Sequence, residues 1–547
     1  MKKITNIILI ASIFFSSCIS LEEETYSDLS KDKIYQNTND ADAAVMGIYS
    51  DWINNSTFAF LQMLGSTTTT ADTRYTYIVA NGPTQETSHV LEFWSGYYRI
   101  VRKANEVIQN LWESKLEDSK KTPYIAEAIA LRTYAYFQLV KLWGDIPFRI
   151  AEKDSWNSEF TLTPMEAVYR QLIGDMEWAI SNGWKEGAMP RGRIDKIGSQ
   201  MLLSDIYLTC ASSANAYNAS TTARALKPYY IAFSDDKEIF WKRVKVLSAN
   251  VIKSNYYKLE TKNWSNLWGY SKEFDSRFNK EHIWTTQVIP GVFGSKTYLR
   301  FTPSYSNYCP GQLVGETFMT YNWATSFDRS DKRFTDGIIW EYNDMRYFPN
   351  TNGKYYVEKW RRDINNQKSV LNGTDKTIAD TIWRYSAYQR LQTKKFYDKS
   401  YLVANNSVGP AVQMPFYRMA EAYLFYAEAE NELFGCTQDA VNMINPIRIR
   451  AGLQPYTQAQ FSREELREKI IDERLWEFAM EGKDIFDIMR TGKLAERCSG
   501  KEVLWDGQLV PGVEPRARTS DSYWLPYPKA ERDTNKALKE ITRMNYE

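Results

Sequence analysis

Apolar residues recur three and four positions apart over much of this chain, and that spacing predicts helices. Ala41, Ala44, Val45, Ile48, Tyr49 and Trp52 mark a first helix, and Trp94, Tyr98, Val101, Asn105 and Ile108 a second. Thr122-Pro123 opens a long helix that stops at Gly144-Asp-Ile-Pro147, where glycine and proline break the period. Thr163-Pro-Met-Glu166 has capping-box spacing with proline at the first helical position, and predicts a helix to about Ile180. Two more are predicted over 194–208 and 239–253. Toward the C-terminus, Tyr417, Ala420, Leu424 and Ala427 keep the same period, as do Leu466, Ile470, Leu475 and Phe478. Ser462 and Glu465 form a capping box, and Gly435, Gly452, Gly482 and Gly492 stand where helices would end.

Between these blocks the pattern changes. From Phe58 to Ser88 the chain is Thr-rich and aperiodic, which predicts a long loop, and loops of that length usually bind something or are disordered. From 256 to 360 the helical period is lost and aromatics crowd among Gly, Pro, Asn, Ser and Thr, with Glu281–Gln287 as a short extended run. Residues 361–410 are polar and predicted to be exposed. The fold class is therefore mainly α: an array of helical hairpins with a second, loop-rich lobe containing short strands. A chain of 547 residues exceeds what one hydrophobic core of about 250–300 residues supports, which agrees with such an extended layout.

Composition sharpens this picture in three ways. A net charge of +1 excludes the basic surface that nucleic acid requires. Only His89 and His282 occur, so histidine-based metal or acid–base chemistry has little to build on, and neither a metal nor a cofactor is expected. Aromatics reach 15%, with 18 Trp and 37 Tyr, which gives ample material for stacking platforms.

The N-terminus carries a destination. Lys2 and Lys3 precede the apolar run Ile7–Phe15, too short for the roughly 20 residues that span a bilayer, so 1–17 is a signal peptide. Phe15-Ser-Ser-Cys18 resembles a bacterial lipobox, with Phe15 in place of the usual Leu, in which the Cys18 thiol would be acylated. Several acyl chains hold a protein firmly on a membrane, at roughly 0.8 kcal/mol per buried methylene. Residues 18–37 form a polar, acidic tether, and Glu22-Glu-Glu24 resembles the surface-export signal of such lipoproteins. Cys210, Cys309, Cys436 and Cys498 are too irregularly spaced for a disulfide framework or a metal knuckle, and are expected to be isolated thiols.

Several motifs in order carry a family resemblance. They are Asp42-Ala-Ala-Val-Met-Gly-Ile-Tyr49, Trp94-Ser-Gly-Tyr-Tyr-Arg-Ile-Val-Arg-Lys-Ala-Asn105, and Ala126-Glu-Ala with Arg132-Thr-Tyr-Ala-Tyr-Phe137 and Trp143-Gly-Asp-Ile-Pro147. Met414–Gly492 and Tyr523–Asn535 continue the series. Together they resemble the RagB/SusD family of outer-membrane nutrient-binding lipoproteins over nearly the whole chain. The sequence departs at Lys483, where the family commonly has Arg, so one expected ion pair is open. The resemblance implies a tetratricopeptide-like helical region over 38–255 and a C-terminal region over 256–547, with aromatic-rich loops at 256–410 and helices at 411–547. It implies a non-catalytic protein that captures a glycan and passes it to a SusC-like TonB-dependent transporter in the outer membrane. Glu473, Arg474, Glu477 and Asp487 are then scaffold.

A sugar ring needs an aromatic platform for its C–H face and a few fixed polar groups for its hydroxyls. Aromatics on helical stripes usually face the core, so Trp52, Trp94, Trp143, Trp178 and Trp476 are read as packing. Family members bind in a shallow site lined by the loop after the first helix and by loops of the aromatic-rich lobe, here 66–88 and 305–340. The candidate platforms are Tyr75, Tyr305, Tyr308 and Trp323, with Asp72 and Arg74 as polar partners. Two other readings stay open: peptide or another nutrient as cargo, and an exported glycoside hydrolase, which would need two carboxylates about 5–10 Å apart across a cleft.

Overall fold

A computed structural model of the chain describes residues 35–53, 69–71, 82–150, 160–219, 233, 236–268, 279–286, 317–320, 323, 326–339, 341–343, 354–356, 392–395, 413–499, 518 and 523–539. Cys18 and the leader and tether therefore lie outside the described residues.

The N-terminal part is a run of helices, each packed on the next. These are α1 (Thr38–Ile53), α2 (Ser88–Glu113), α3 (Asp118–Trp143), α4 (Met165–Asn182), α5 (Lys196–Ala219) and α6 (Lys237–Lys253), with the three-residue strand β1 (Thr69–Ala71) between the first two. Short strands follow: β2 (His282–Thr285), β3 (Thr317–Met319), the one-turn helix α7 (Lys332–Thr335), β4 (Ile338–Ile339), β5 (Glu341–Asn343), β6 (Lys354–Tyr356), β7 (Gln392–Thr393) and β8 (Pro415–Arg418). All pair antiparallel in twos: β1 with β3, β2 with β8, β4 with β7 and β5 with β6. The chain then returns to helix in α8 (Met419–Phe434), α9 (Gln438–Arg450), α10 (Arg463–Glu477), α11 (Asp484–Arg490), α12 (Leu494–Cys498), α13 (Lys529–Thr534) and α14 (Lys536–Lys539). No helix among the described residues is long and apolar enough to cross a membrane.

Helix α8 joins the two halves. Ala422, Phe425 and Ala429 on one of its faces enter the large core shared with α1–α6, while Ala420, Leu424 and Ala427 on another pack against α9 and α10. The C-terminal segment closes the N-terminal array. Trp143 donates its indole N–H to Pro526 O at 2.9 Å, and Tyr527 donates its hydroxyl to Asp145 O at 2.6 Å. Gly144, at φ +74°, lets the chain turn where an added Cβ would lie 2.9 Å from the Trp524 ring.

Four local expectations change. Tyr417 belongs to β8, because β2 captures the 414–419 backbone through Thr286 N–Met414 O and Met419 N–Glu281 O bonds, and helix starts only at Met419. The long helix α3 begins at Asp118, ahead of Pro123, which sits inside it and forfeits one intrahelical bond. Thr163 pairs with Ile146 in a β-bridge and leaves Pro164 as an N-cap without a side-chain bond; Asp145 Oδ1 takes over by accepting from Met165 N at 2.9 Å. In the stretch expected to be exposed, Thr393 and Lys395 are buried. The Ser462–Glu465 capping box forms as expected, and all four C-terminal glycines have positive φ.

The loop-rich strands are tied to the C-terminal helices by a buried ion network. Arg333, Lys395, Arg418, Arg448 and Arg450 face Glu281, Asp331, Glu473, Glu477 and Glu481, five cations to five carboxylates. Glu477 meets Arg333 at 3.1 Å, Arg418 at 3.0 Å and Arg450 at 2.8 Å. Burial alone would raise its pKa, but the pull of Arg450, Arg418 and Arg333 outweighs it and holds the carboxyl far below the usual range. Lys395 donates to Glu477 O, Ala479 O and Glu481 Oε1 at 2.7–2.9 Å, which is why it is inside.

Removing one cation from such a cluster leaves five buried carboxylates facing four cations, an uncompensated negative charge away from water. Arg418→Ala is expected to cost about 3–5 kcal/mol in denaturant unfolding. Asp145→Ala, which removes only a helix cap, is expected to cost about 1 kcal/mol.

Candidate functional site

The two loops named for ligand binding are brought together by backbone pairing. β1, in the loop after α1, lies antiparallel to β3, with Thr69 opposite Met319, Thr70 opposite Phe318 and Ala71 opposite Thr317. Asp72, Arg74 and Tyr75 follow β1 directly in sequence, and Trp323 follows β3 by four residues. Asp72, Arg74, Tyr75, Tyr305 and Tyr308 themselves lie outside the described residues.

Trp323 differs from the exposed platform expected of it. It is 3% exposed, its indole N–H donates to Leu475 O at 3.0 Å, and Phe327 meets its ring edge-on at 4.5 Å. Ser326 Oγ donates to Trp323 O at 2.6 Å and accepts from Trp476 Nε1 at 2.9 Å. Trp323 therefore anchors the segment after β3 to the end of α10, through one of the carbonyls of the last helical turn, Leu475 O. Trp476 is only half-buried and lies at the edge of this cluster, so position on a helical stripe was an incomplete guide to it. Trp94 and Trp143 are buried as read, and Trp178 is partly buried; the Trp52 side chain lies outside the described residues.

Two acidic residues among the described ones of this lobe are already engaged. Asp331 caps α7 and binds Arg333, while Asp328 accepts from Ser330 N and Oγ. Among the described residues no group of His, Cys, Asp and Glu is arranged to hold a metal ion. Cys210 and Cys436 are free thiols, the first buried and the second partly exposed. His282 is buried against Trp268, and burial first, with Arg418 nearby, pushes its pKa down to about 3, so it is neutral.

A cavity of about 40 Å³ lies between α3, α5 and the C-terminal block, with Lys141, Asp205, Glu421, Arg474, Phe486 and Asp487 in its lining. Sites for sugar-sized ligands run to hundreds of cubic ångströms, so this is a gap in the scaffold. Its carboxylates are all engaged: Asp487 binds Arg474 at 2.9 Å, Glu481 binds Arg418 at 2.8 Å, Glu421 binds Lys483, and Asp205 accepts from the Tyr417 hydroxyl at 2.9 Å. Lys483 also donates to Phe416 O at 2.7 Å. Lysine thus makes the ion pair left open at 483. Glu473, Arg474, Glu477 and Asp487 are all buried and ion-paired, as scaffold residues should be.

Lys141 stands apart within this lining. Its ammonium sits 4.1 Å from the Phe137 ring and 3.9 Å from the Phe486 ring, and burial lowers its pKa from 10.5 to about 8. Between pH 8 and 10.5 the unfolded chain then holds a proton that the folded one has lost, so stability from this group rises with pH across that window. Below pH 8 the folded protein carries the full burden of the buried charge. Lys141→Met is expected to unfold at a higher denaturant midpoint than wild type at pH 7, with the gap narrowing at pH 10.

Comparison with known proteins gives a consistent picture. The SusD family model matches residues 280–546, and a model described as starch-binding associating with outer membrane matches residues 20–208. The starch-binding protein SusD of Bacteroides thetaiotaomicron is 32% identical over 449 residues, covering 77% of this chain and 72% of that protein. SusD-like protein P2 of Formosa agariphila is 24% identical over 561 residues, 98% of each chain. The crystal structure of a SusD homolog from Bacteroides thetaiotaomicron superposes with a TM-score of 0.73 at 18% identity, over 94% of this chain and 98% of that one, which shows the shared fold.

Proposed function

This chain belongs to the SusD family, and from that premise we propose that it is a non-catalytic, cell-surface lipoprotein that captures a glycan and delivers it to a SusC-like TonB-dependent transporter. The observation that carries the reading is the β1–β3 pairing. It joins the loop after the first helix to the aromatic-rich lobe, the two segments from which a shallow sugar site would be assembled. The starch-binding relative and the outer-membrane description of the N-terminal match support a glycan and that location.

In this reading the aromatics of the loops stack on sugar C–H faces, while Asp72 and Arg74 bind hydroxyls. Tyr75, Tyr305 and Tyr308 are the platforms, and Trp323 serves indirectly by fixing the segment after β3 to the end of α10. Cys18 carries the acyl anchor, and the acidic tether at 22–24 directs the protein outward. Binding alone suffices for this role. The carboxylates of the C-terminal motifs are held in buried ion pairs, which favours binding over glycoside hydrolysis. Delivery to a channel calls for modest affinity, since a tightly held ligand would not be passed on.

The test is affinity electrophoresis of the full chain in gels containing starch, xyloglucan, galactomannan or pectin, with product analysis alongside. Retardation by one glycan class without cleavage, weakened roughly tenfold by Tyr308→Ala or Tyr75→Ala, is expected from loss of a stacking platform. Turnover of the glycan would contradict the binding reading. Retardation by none of the four, with peptide retained instead, would transfer the role to a peptide cargo.

A further inference from the structure

A second aromatic feature lies at the C-terminal end of α2, the end away from the loop that carries β1. Trp112, on the last turn of α2, is 49% exposed, and Trp178, near the end of α4, is partly packed on the core. Their ring centroids are 5.8 Å apart and the rings are inclined at 55°. Neither indole N–H donates to another described residue. Gln109, one turn before Trp112 on the same face, donates to the Glu113 carboxylate at 3.0 Å, so donors and acceptors flank the indoles. The backbone beneath is fixed, because Lys121 Nζ binds the carbonyls of Trp112 and Ser114, each at 3.3 Å.

The size of the patch selects the kind of partner. Two indoles offer at most about 150–250 Å² each, whereas a stable protein interface takes about 800 Å² from each side. The other exposed large apolar residues among the described ones are Met46, Leu91, Ile150, Ile239, Val246, Phe434 and Ile449. On α2 the next of them, Leu91, is some six turns away. Open indole faces, free N–H donors and a polar rim match one or two sugar rings, and an uncharged chain of rings needs no complementary charge.

Position adds the mechanism. From Ser88, where the ligand loop enters α2, to Trp112 the helix rises roughly 36 Å at 1.5 Å per residue. We infer that Trp112 and Trp178 form a second, weaker sugar platform at the far end of α2, which a polymer can reach while its other rings occupy the loop site. This rests on the glycan-capture reading. Its consequence is selectivity for length: two contacts on one polymer raise retention through effective concentration, while a short oligosaccharide engages one platform at a time.

The experiment is affinity electrophoresis of the full chain in the same four polysaccharide gels, with calorimetry of a short oligosaccharide from whichever glycan retards it. Trp112→Ala, Trp112→Phe and wild type are compared after their unfolding midpoints are shown to match. The expected result is about threefold to tenfold weaker retention for Trp112→Ala, near-wild-type retention for Trp112→Phe, and unchanged affinity for the oligosaccharide at the loop site. Wild-type retention that Trp112→Ala leaves intact would overturn the platform alone. Loss of co-purification with an outer-membrane transporter in Trp112→Ala, with glycan retention intact, would reassign the pair to protein docking. No retention of the wild type by any of the four would remove the glycan reading and this inference together.

Discussion

Glu477 meets three guanidinium groups in a space closed to water, and the lobes of the molecule depend on that meeting. Arg333 comes from the helix beside β4, Arg418 from the end of β8 and Arg450 from the end of α9. None of these segments is long enough to be stable alone. A strand of two to four residues has few ladder bonds, and an isolated pair of such strands is marginal in water. The irregular lobe is therefore held by point attachments of high directionality. Arg418 grips Glu481 through two nitrogens, Arg333 reaches Glu473 and Glu477 on α10, and Arg450 bridges Glu281 and Glu477, so the fork geometry of the guanidinium fixes where a segment lies as well as joining it. A buried network of this kind contributes less net stability than its bond count suggests, because desolvation offsets much of the attraction. Its contribution is positional, since it sets how the short segments of the irregular lobe lie against the C-terminal helices.

The helical half works by a different rule. Successive helices bury apolar stripes against one another, and α8 presents two stripes to two separate clusters, so the array and the C-terminal block share a wall. Contacts between neighbours dominate in such stacks. Helices end where the loops begin, and in the proposed role the ligand surface is a set of loops on an ordered frame.

Much of the frame was legible in the sequence because helical period and capping are local. The Ser462–Glu465 box, the terminal glycines and six of the N-terminal helices could be read without any partner in view. What was misread needed a partner. Tyr417 has helical spacing but is recruited by β2, and Thr163 has the spacing of a cap but is taken by Ile146, leaving Asp145 to act. Lys395 looked like part of a polar surface stretch until three acceptors from residues 477–481 enclosed it. In the site, the β1–β3 pairing agrees with the two segments expected to converge, whereas Trp323 carried a signal its loop context could not resolve. An aromatic in a loop reads alike whether it faces solvent or pins the loop down, and only the carbonyl at Leu475 decides. Trp112 shows the converse: helical spacing gave no hint that its ring would stay in water.

In the proposed role the paired loops capture glycan on a frame that neither reacts nor rearranges. Hydrogen exchange of the full chain, with and without a polysaccharide that retards it, tests this most directly. Added protection concentrated in 66–88 and 305–340, with α3, α8 and α10 unchanged, is the predicted result. Protection spread through the helices around the Lys141 cavity, with those loops unaffected, would contradict it.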